Sequence, residues 1–186
     1  QAQKEITERK KAEEILTKRV RELATVAEVS AAASTILQPQ QLLQTVTQLT
    51  EENFHLYHTQ IYLLNEAGDS LVLTTAAGEV SQYVLAQHWD IPFNHPHSLI
   101  ARTARTRVSA IANDVQQEPD FLPTPLLPKT KSEITIPMLV GNDLLGVFDL
   151  QSDEIGYFTD DEVAVYIALA KQISVALQNA RRYHIT

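Results

Sequence analysis

The 186-residue sequence contains no cysteine, which excludes disulfides, thiolate metal ligation, thiol catalysis and attachment of a pigment through sulfur. It has only five glycines, and none of them builds a glycine-rich phosphate loop. No apolar run reaches the roughly 20 residues a membrane crossing needs, and no signal peptide opens the chain, so a cytoplasmic setting without membrane contact is expected. The single methionine is Met138 rather than an initiator, and the chain starts and stops in helical patterns. We therefore read it as a segment of a longer protein.

Basic charge is scarce where nucleic acid would need it. Residues 1–37 carry seven basic and six acidic groups, whereas the remainder carries eight basic against seventeen acidic, a net −9. An acidic globular part argues against nucleic acid as a partner. Apolar residues make up 44% of the chain, sufficient for one real core.

What is present begins with a long helix. Residues 4–37 lack Gly and Pro and are rich in Ala, Glu, Lys, Leu and Arg. Leu16, Val20, Leu23, Ala27, Ser30, Ser34 and Leu37 recur at alternating spacings of four and three, a coiled-coil seam weakened at its serines. Val26, Val29, Ala33 and Ile36 form a second apolar line. At about 1.5 Å per residue this helix is roughly 50 Å long, too long to lie wholly on one small domain.

Gln38-Pro39 ends it, and a second helix is expected over 40–54. The period then changes to two. Strands are expected over 60–65, 70–76, 89–93, 108–112, 133–140 and 144–151, with short helices over 79–88 and 98–106 and a closing helix over 160–183. Four prolines in EPDFLPTPLLPKT predict an irregular, stiff loop. The order describes an α+β domain with a mostly antiparallel sheet and terminal helices on one face: residues 1–37 as linker helix, 38–183 as the domain.

Six acidic side chains crowd LGVFDLQSDEIGYFTDDE at positions 145–162. A calcium loop is excluded because Glu154 stands where glycine is required. Thr159 as N-cap and Glu162 three residues on form a capping box, Phe158 and Val163 a hydrophobic staple, and Asp160 and Asp161 suit the first turn's dipole.

SEITIPMLVGNDLLGVFDLQSDEIGYFTDDE, continued by ALQNARRY and preceded by VSAIANDVQQEPDFLPTPLLPKTKSE, resembles a GAF domain of bacterial sensor histidine kinases over roughly residues 40–183. ITERKKAEEIL is similar to the exit helix that follows PAS domains. The resemblance implies a PAS-related fold with a six-stranded antiparallel sheet, terminal helices on one face, and loops and short helices closing a ligand pocket on the other. It also implies a sensory module of a two-component system, with PAS-like and output domains in the same chain. Family chemistries requiring cysteine, namely covalent bilin binding and thiol-based sulfoxide reduction, have no residue to carry them. The cyclic-nucleotide pattern is broken, since Phe158 precedes Asp161-Glu162 by one residue too few and no Asn-Lys occurs. Lacking a nucleophile, a metal set and a phosphate loop, the chain is expected not to be an enzyme.

Two clusters remain. His95, His97 and nearby His88 read either as a metal or haem site or as solvated loop histidines; the second is preferred, and no metal or cofactor is expected. Glu133, Thr135 and Asp149 alternate with apolar residues on neighbouring strands. They either form a pocket floor walled by Trp89, Phe93 and the proline loop, or bond locally to backbone or to a cation such as Arg102. The closing helix repeats Val163, Tyr166, Ala170, Ile173, Leu177 and Ala180 at three and four spacing, beside further apolar residues. That surplus, with the Leu16–Leu37 seam, predicts a parallel homodimer through the terminal helices.

Overall fold

The computed structural model describes residues 1–185, with side chains through 183. Helix α1 spans Ala2–Thr35 and α2 spans Pro39–Asn53. Proline opens α2, where its missing N–H costs no hydrogen bond. Strands β1 (His58–Leu64) and β2 (Ser70–Gly78) follow as a hairpin. Its turn is closed by Asn65, whose Oδ1 accepts from the amides of Asp69 at 3.0 Å and Ser70 at 3.1 Å.

Short helix α3 (Ser81–Ala86), β3 (Asp90–Pro92), α4 (Leu99–Thr106) and β4 (Ala110–Ala112) come next. Helix α4 is capped by Ser98, whose Oγ accepts from the Ala101 amide at 3.1 Å. The irregular loop 118–131 leads to the hairpin β5 (Ser132–Val140) and β6 (Asp143–Ser152), and α5 (Asp160–Ile185) closes the chain.

The six strands form one sheet in the order β3-β2-β1-β6-β5-β4, each pair antiparallel. Its centre is β1 beside β6. There the backbones approach so closely that a Cβ at Gly146 would lie 2.0 Å from the Tyr62 carbonyl oxygen, so only glycine fits.

One face of the sheet carries Ile61, Ile134, Ile136, Met138, Phe148 and Leu150. It packs against Leu42, Leu43 and Val46 of α2 and against Tyr166, Leu169, Ala170, Ile173 and Leu177 of α5. A second core joins Tyr62, Leu71, Leu73 and Val147 on the opposite face to α3, α4 and Leu127 of the proline loop.

Three expectations are corrected here. Helix α5 is by length and composition apolar enough to cross a bilayer, contrary to the reading that no run qualifies; its main apolar stripe lies in the domain core. That same stripe corrects the choice of α5 dimer residues. Tyr166, Ala170, Ile173, Leu177 and Ala180 are buried by their own chain and Val163 is half-buried against the same core, because the helix-facing side of the sheet takes up the stripe, whereas Ile167 and Val175 of the same helix stay 44% and 43% exposed. The capping box is corrected as well. The Glu162 amide bonds the Thr159 carbonyl oxygen at 3.0 Å, while its carboxylate turns away to Lys18 on α1. A long-range cation outcompetes the local amide for that carboxylate.

Candidate functional site

Strand register brings a polar group together on the face away from α2 and α5. His58, Gln151 and Glu133 lie in one cross-strand row, and Gln60, Asp149 and Thr135 in the next. All six are buried.

A chain of hydrogen bonds runs through them. His58 Nε2 meets Gln60 Oε1 at 3.0 Å, Gln60 Nε2 donates to Asp149 Oδ2 at 2.8 Å, and Gln151 Nε2 donates to the same oxygen at 2.7 Å. Thr130 Oγ1 donates to Gln151 Oε1 at 2.6 Å. Two glutamine amides thus hold one carboxylate oxygen, in the manner that lets a carboxylate stay buried. Among the described residues, Asp149 Oδ1 and His58 Nδ1 lack hydrogen-bonded donor or acceptor partners of the usual kind.

Glu133 completes the group. Burial first, then the charge of Asp149, push the Glu133 carboxyl well above the usual carboxylate range. Glu133 therefore favours its protonated form, because a second negative charge so close to Asp149 in a low-dielectric setting is costly. Burial also pushes the His58 imidazole down, against the opposing pull of Gln60 and Asp149, so it stays neutral near pH 7.

Above this floor lies a cavity of about 40 Å³, bounded by Glu133, Gln60, Gln151, Tyr62, Trp89 and, from the proline loop, Leu122, Leu126 and Leu127. It is far below the several hundred cubic ångströms of a typical ligand pocket, with room on the scale of one or two waters. The proline loop is its roof.

The five pocket residues expected from the sequence separate. Glu133 and Trp89 border the cavity. Asp149 sits beneath it, tied to Gln60 and Gln151. Thr135 instead meets Thr103 Oγ1 of α4 at 2.6 Å. Phe93 packs into the second core, and its carbonyl oxygen accepts from Arg105 at 2.8 Å; it is no wall of the cavity.

Arg102 does not neutralise the carboxyl pair. It goes to Glu118 at 3.1 Å and Asp120 at 2.6 Å, at the start of the proline loop. Sequence reasoning missed His58, Gln60, Tyr62 and Gln151. A partial signal was present for the first three, since Gln60 and Tyr62 alternate with apolar Ile61 and Leu63 in HTQIYLL and His58 continues the row past Thr59.

The histidine cluster does not converge. His95 Nδ1 accepts from the His97 amide at 3.1 Å, and His97 Nδ1 lies 3.6 Å from Asp120. Among the described residues no group of three or more His, Asp or Glu is placed to hold a metal ion.

On the helices, the α1 seam is exposed. Leu16 is 65%, Val20 57% and Leu23 69% accessible, and Ala27 is exposed too; Leu37, expected in the seam, is 57% accessible but lies beyond α1, which ends at Thr35. Residues 1–21 bury nothing at all. Below them Glu22, Thr25 and Val29 dock α1 onto the domain.

A six-stranded antiparallel sheet with terminal helices on one face and a roofed polar cavity on the other defines a small α+β class. The GAF domain family model matches residues 37–178, and the chain belongs to that family, a common signalling and regulatory module. No curated protein matches it. Among solved structures, it is similar to the GAF domain of a phosphoenolpyruvate-protein phosphotransferase from Coxiella burnetii, at 17% identity and a TM-score of 0.79 over 90% of this chain and 98% of that one. A free methionine-R-sulfoxide reductase from Neisseria meningitidis, solved with its substrate, matches at 18% identity and a TM-score of 0.75 over 87% and 91%. The corresponding Staphylococcus aureus enzyme, also with substrate, matches at 18% and 0.69 over 84% and 95%.

These neighbours correct the expectation that the chain is not an enzyme. The fold houses catalysts, although likeness at this identity concerns the fold alone. The rejection counted nucleophiles, metal ligands and phosphate loops. It left out a buried carboxyl pair, of the residue type that general acid–base chemistry uses.

Proposed function

We propose that this GAF domain is the sensory module of a cytoplasmic signal-transduction protein of the sensor histidine kinase type. A small molecule carrying hydrogen-bond donors enters under the proline loop, and the terminal helices pass the resulting displacement to an output domain downstream. The observation that carries this is the polar floor. Glu133 faces the cavity, Asp149 Oδ1 lacks a hydrogen-bond partner, and among the described residues neither carboxyl is in an ion pair, Arg102 going to Glu118 and Asp120. Such a floor is costly to bury and suited to a donor-rich guest. The cavity takes a larger guest only if the loop lifts, so ligand entry and loop movement are one event.

The exposed α1 seam supports the second half of the proposal. Apolar positions at four and three spacing on a projecting helix match a partner helix of the same kind, so α1 pairs with α1 of a second copy in a parallel coiled coil. The alternative, a ligand-free dimerising spacer that relays helix motion, is favoured by the small size of the cavity.

Two measurements separate these. A metabolite panel read by thermal shift and calorimetry yields a ligand whose affinity falls with Glu133→Gln under the sensory proposal; no binder at all favours the spacer. Sedimentation shows a dimer that Leu23→Glu dissociates, and an unchanged monomer in both chains removes the α1 pairing from either version.

A further inference from the structure

A second cleft, independent of the cavity beneath the proline loop, opens where α1 crosses the domain. Its volume is about 600 Å³, within the range of small-molecule sites. Phe54 at the end of α2, Tyr157 before α5 and Tyr166 within it supply aromatic lining. Phe54 and Tyr166 meet edge to face with centroids 5.0 Å apart, and the Tyr157 hydroxyl donates to the Phe54 carbonyl oxygen, so the three are held as one unit.

Two nearly buried carboxylates line the same cleft. Glu22 is held by Arg19 at 3.4 Å. Glu162 gives Oε1 to Lys18, while its Oε2 is buried without a hydrogen-bond partner although the side chain is only 9% accessible. A buried carboxylate with one oxygen left over is an unusual arrangement, since such oxygens are normally satisfied. Helix initiation does not explain it, because the carboxylate turns to Lys18 on α1, while the Glu162 and Val163 amides go to the Thr159 carbonyl oxygen. At the rim, Glu13 and Glu14 balance Lys10 and Arg21, so the outer charges are neutral in sum and the inner acceptor sets the preference.

We propose that this cleft is a binding site for an organic cation, an ammonium group on an apolar or aromatic stem, with the ammonium drawn to the Glu162 carboxylate and the stem against half-buried Tyr157, behind which Phe54 and Tyr166 stand nearly buried. The aromatic lining favours the cation by its ring quadrupoles as well as by contact area. An occupant there touches α1, α2 and α5 together, so it fixes the angle at which α1 leaves the domain.

The test uses the 186-residue chain and protonated phenethylamine as probe, with neutral 2-phenylethanol beside it. Calorimetry is expected to give saturable phenethylamine binding that Glu162→Gln weakens about tenfold or more, with 2-phenylethanol weaker by a similar factor. Glu133→Gln leaves it unchanged. Intermolecular NOEs from the probe to Phe54, Tyr157 or Tyr166 in the unaltered chain locate the site without depending on any variant's fold. Absence of saturable binding, equal binding of the alcohol, sensitivity to Glu133→Gln instead of Glu162→Gln, or NOEs elsewhere each overturn the proposal. So does a self-association that fills the cleft and leaves no site in the monomer.

Discussion

On β5, Ile134 and Ile136 turn toward α5 while Glu133 and Thr135 turn toward α4 and the proline loop; on β6, Phe148 and Leu150 alternate with Asp149 and Gln151 in the same way. The two faces come from the same strands, one residue out of step. The helix-facing side is filled by close-packed aliphatic and aromatic groups, which is where the domain's stability resides. The other is half core, around Tyr62 and Val147, and half a hydrogen-bonded polar cluster. A protein selected for stability alone has little reason to bury two carboxyls and a histidine where apolar groups of similar size would serve. The contrast separates the part of the sheet that holds the fold from the part that is available to a guest.

The largest expected effect comes from the helix side. Phe148 is fully buried between the sheet and the terminal helices, and Phe148→Ala is expected to lower the unfolding free energy by about 3–5 kcal/mol in urea denaturation. On the polar side, Asp149→Ala takes the acceptor from both Gln60 and Gln151, leaving two buried amides short of a partner. A loss of about 1–3 kcal/mol is expected in the same assay. If the alanine at 149 costs as much as the one at 148, the polar cluster is a structural keystone and the division of labour between the faces fails.

Much of this architecture was legible in the sequence. Period-two alternation located the strands of the two hairpins to within two residues at either end. Proline and glycine punctuation marked the turns, and Gly141-Asn142 does join β5 to β6. Three things were not legible, each for a physical reason. The apolar stripe of α5 records that something covers Tyr166, Ile173 and Leu177 without recording what, and it is their own sheet. Glu162 satisfies a local capping pattern, but Lys18 lies 144 residues away in sequence and no spacing rule reaches it. The cavity's size depends on how far Leu122, Leu126 and Leu127 descend from an irregular loop, which the positions of four prolines do not determine. Of the candidate site, the carboxyl pair emerged from alternation alone; its glutamine tethers and His58 required the register between β1 and β6.

The subtlest test exploits the proton on Glu133. Its carboxyl titrates higher in the folded chain than in the unfolded one, through burial and the neighbouring Asp149. Between those two values the unfolded chain has released its proton while the native chain has kept it, so the unaltered protein loses stability as pH rises through that window. Glutamine at 133 mimics the protonated acid, its amide can donate to Asp149, and it does not titrate. Glu133→Gln is therefore expected to match the unaltered chain near pH 4, where Glu133 is largely protonated in both states, and to be the more stable of the two at about pH 8, by on the order of 1 kcal/mol. His58 acts in the opposite direction. Its imidazole titrates lower when folded because it is buried, so its contribution is present above the ordinary histidine range and is lost as pH falls below it. That contribution is common to both chains and cancels in their difference, provided the His58–Gln60 bond survives the substitution. A difference that stays flat with pH would mean that the fold does not hold Glu133 in its protonated form, and the floor of the cavity would then favour a cation as its guest.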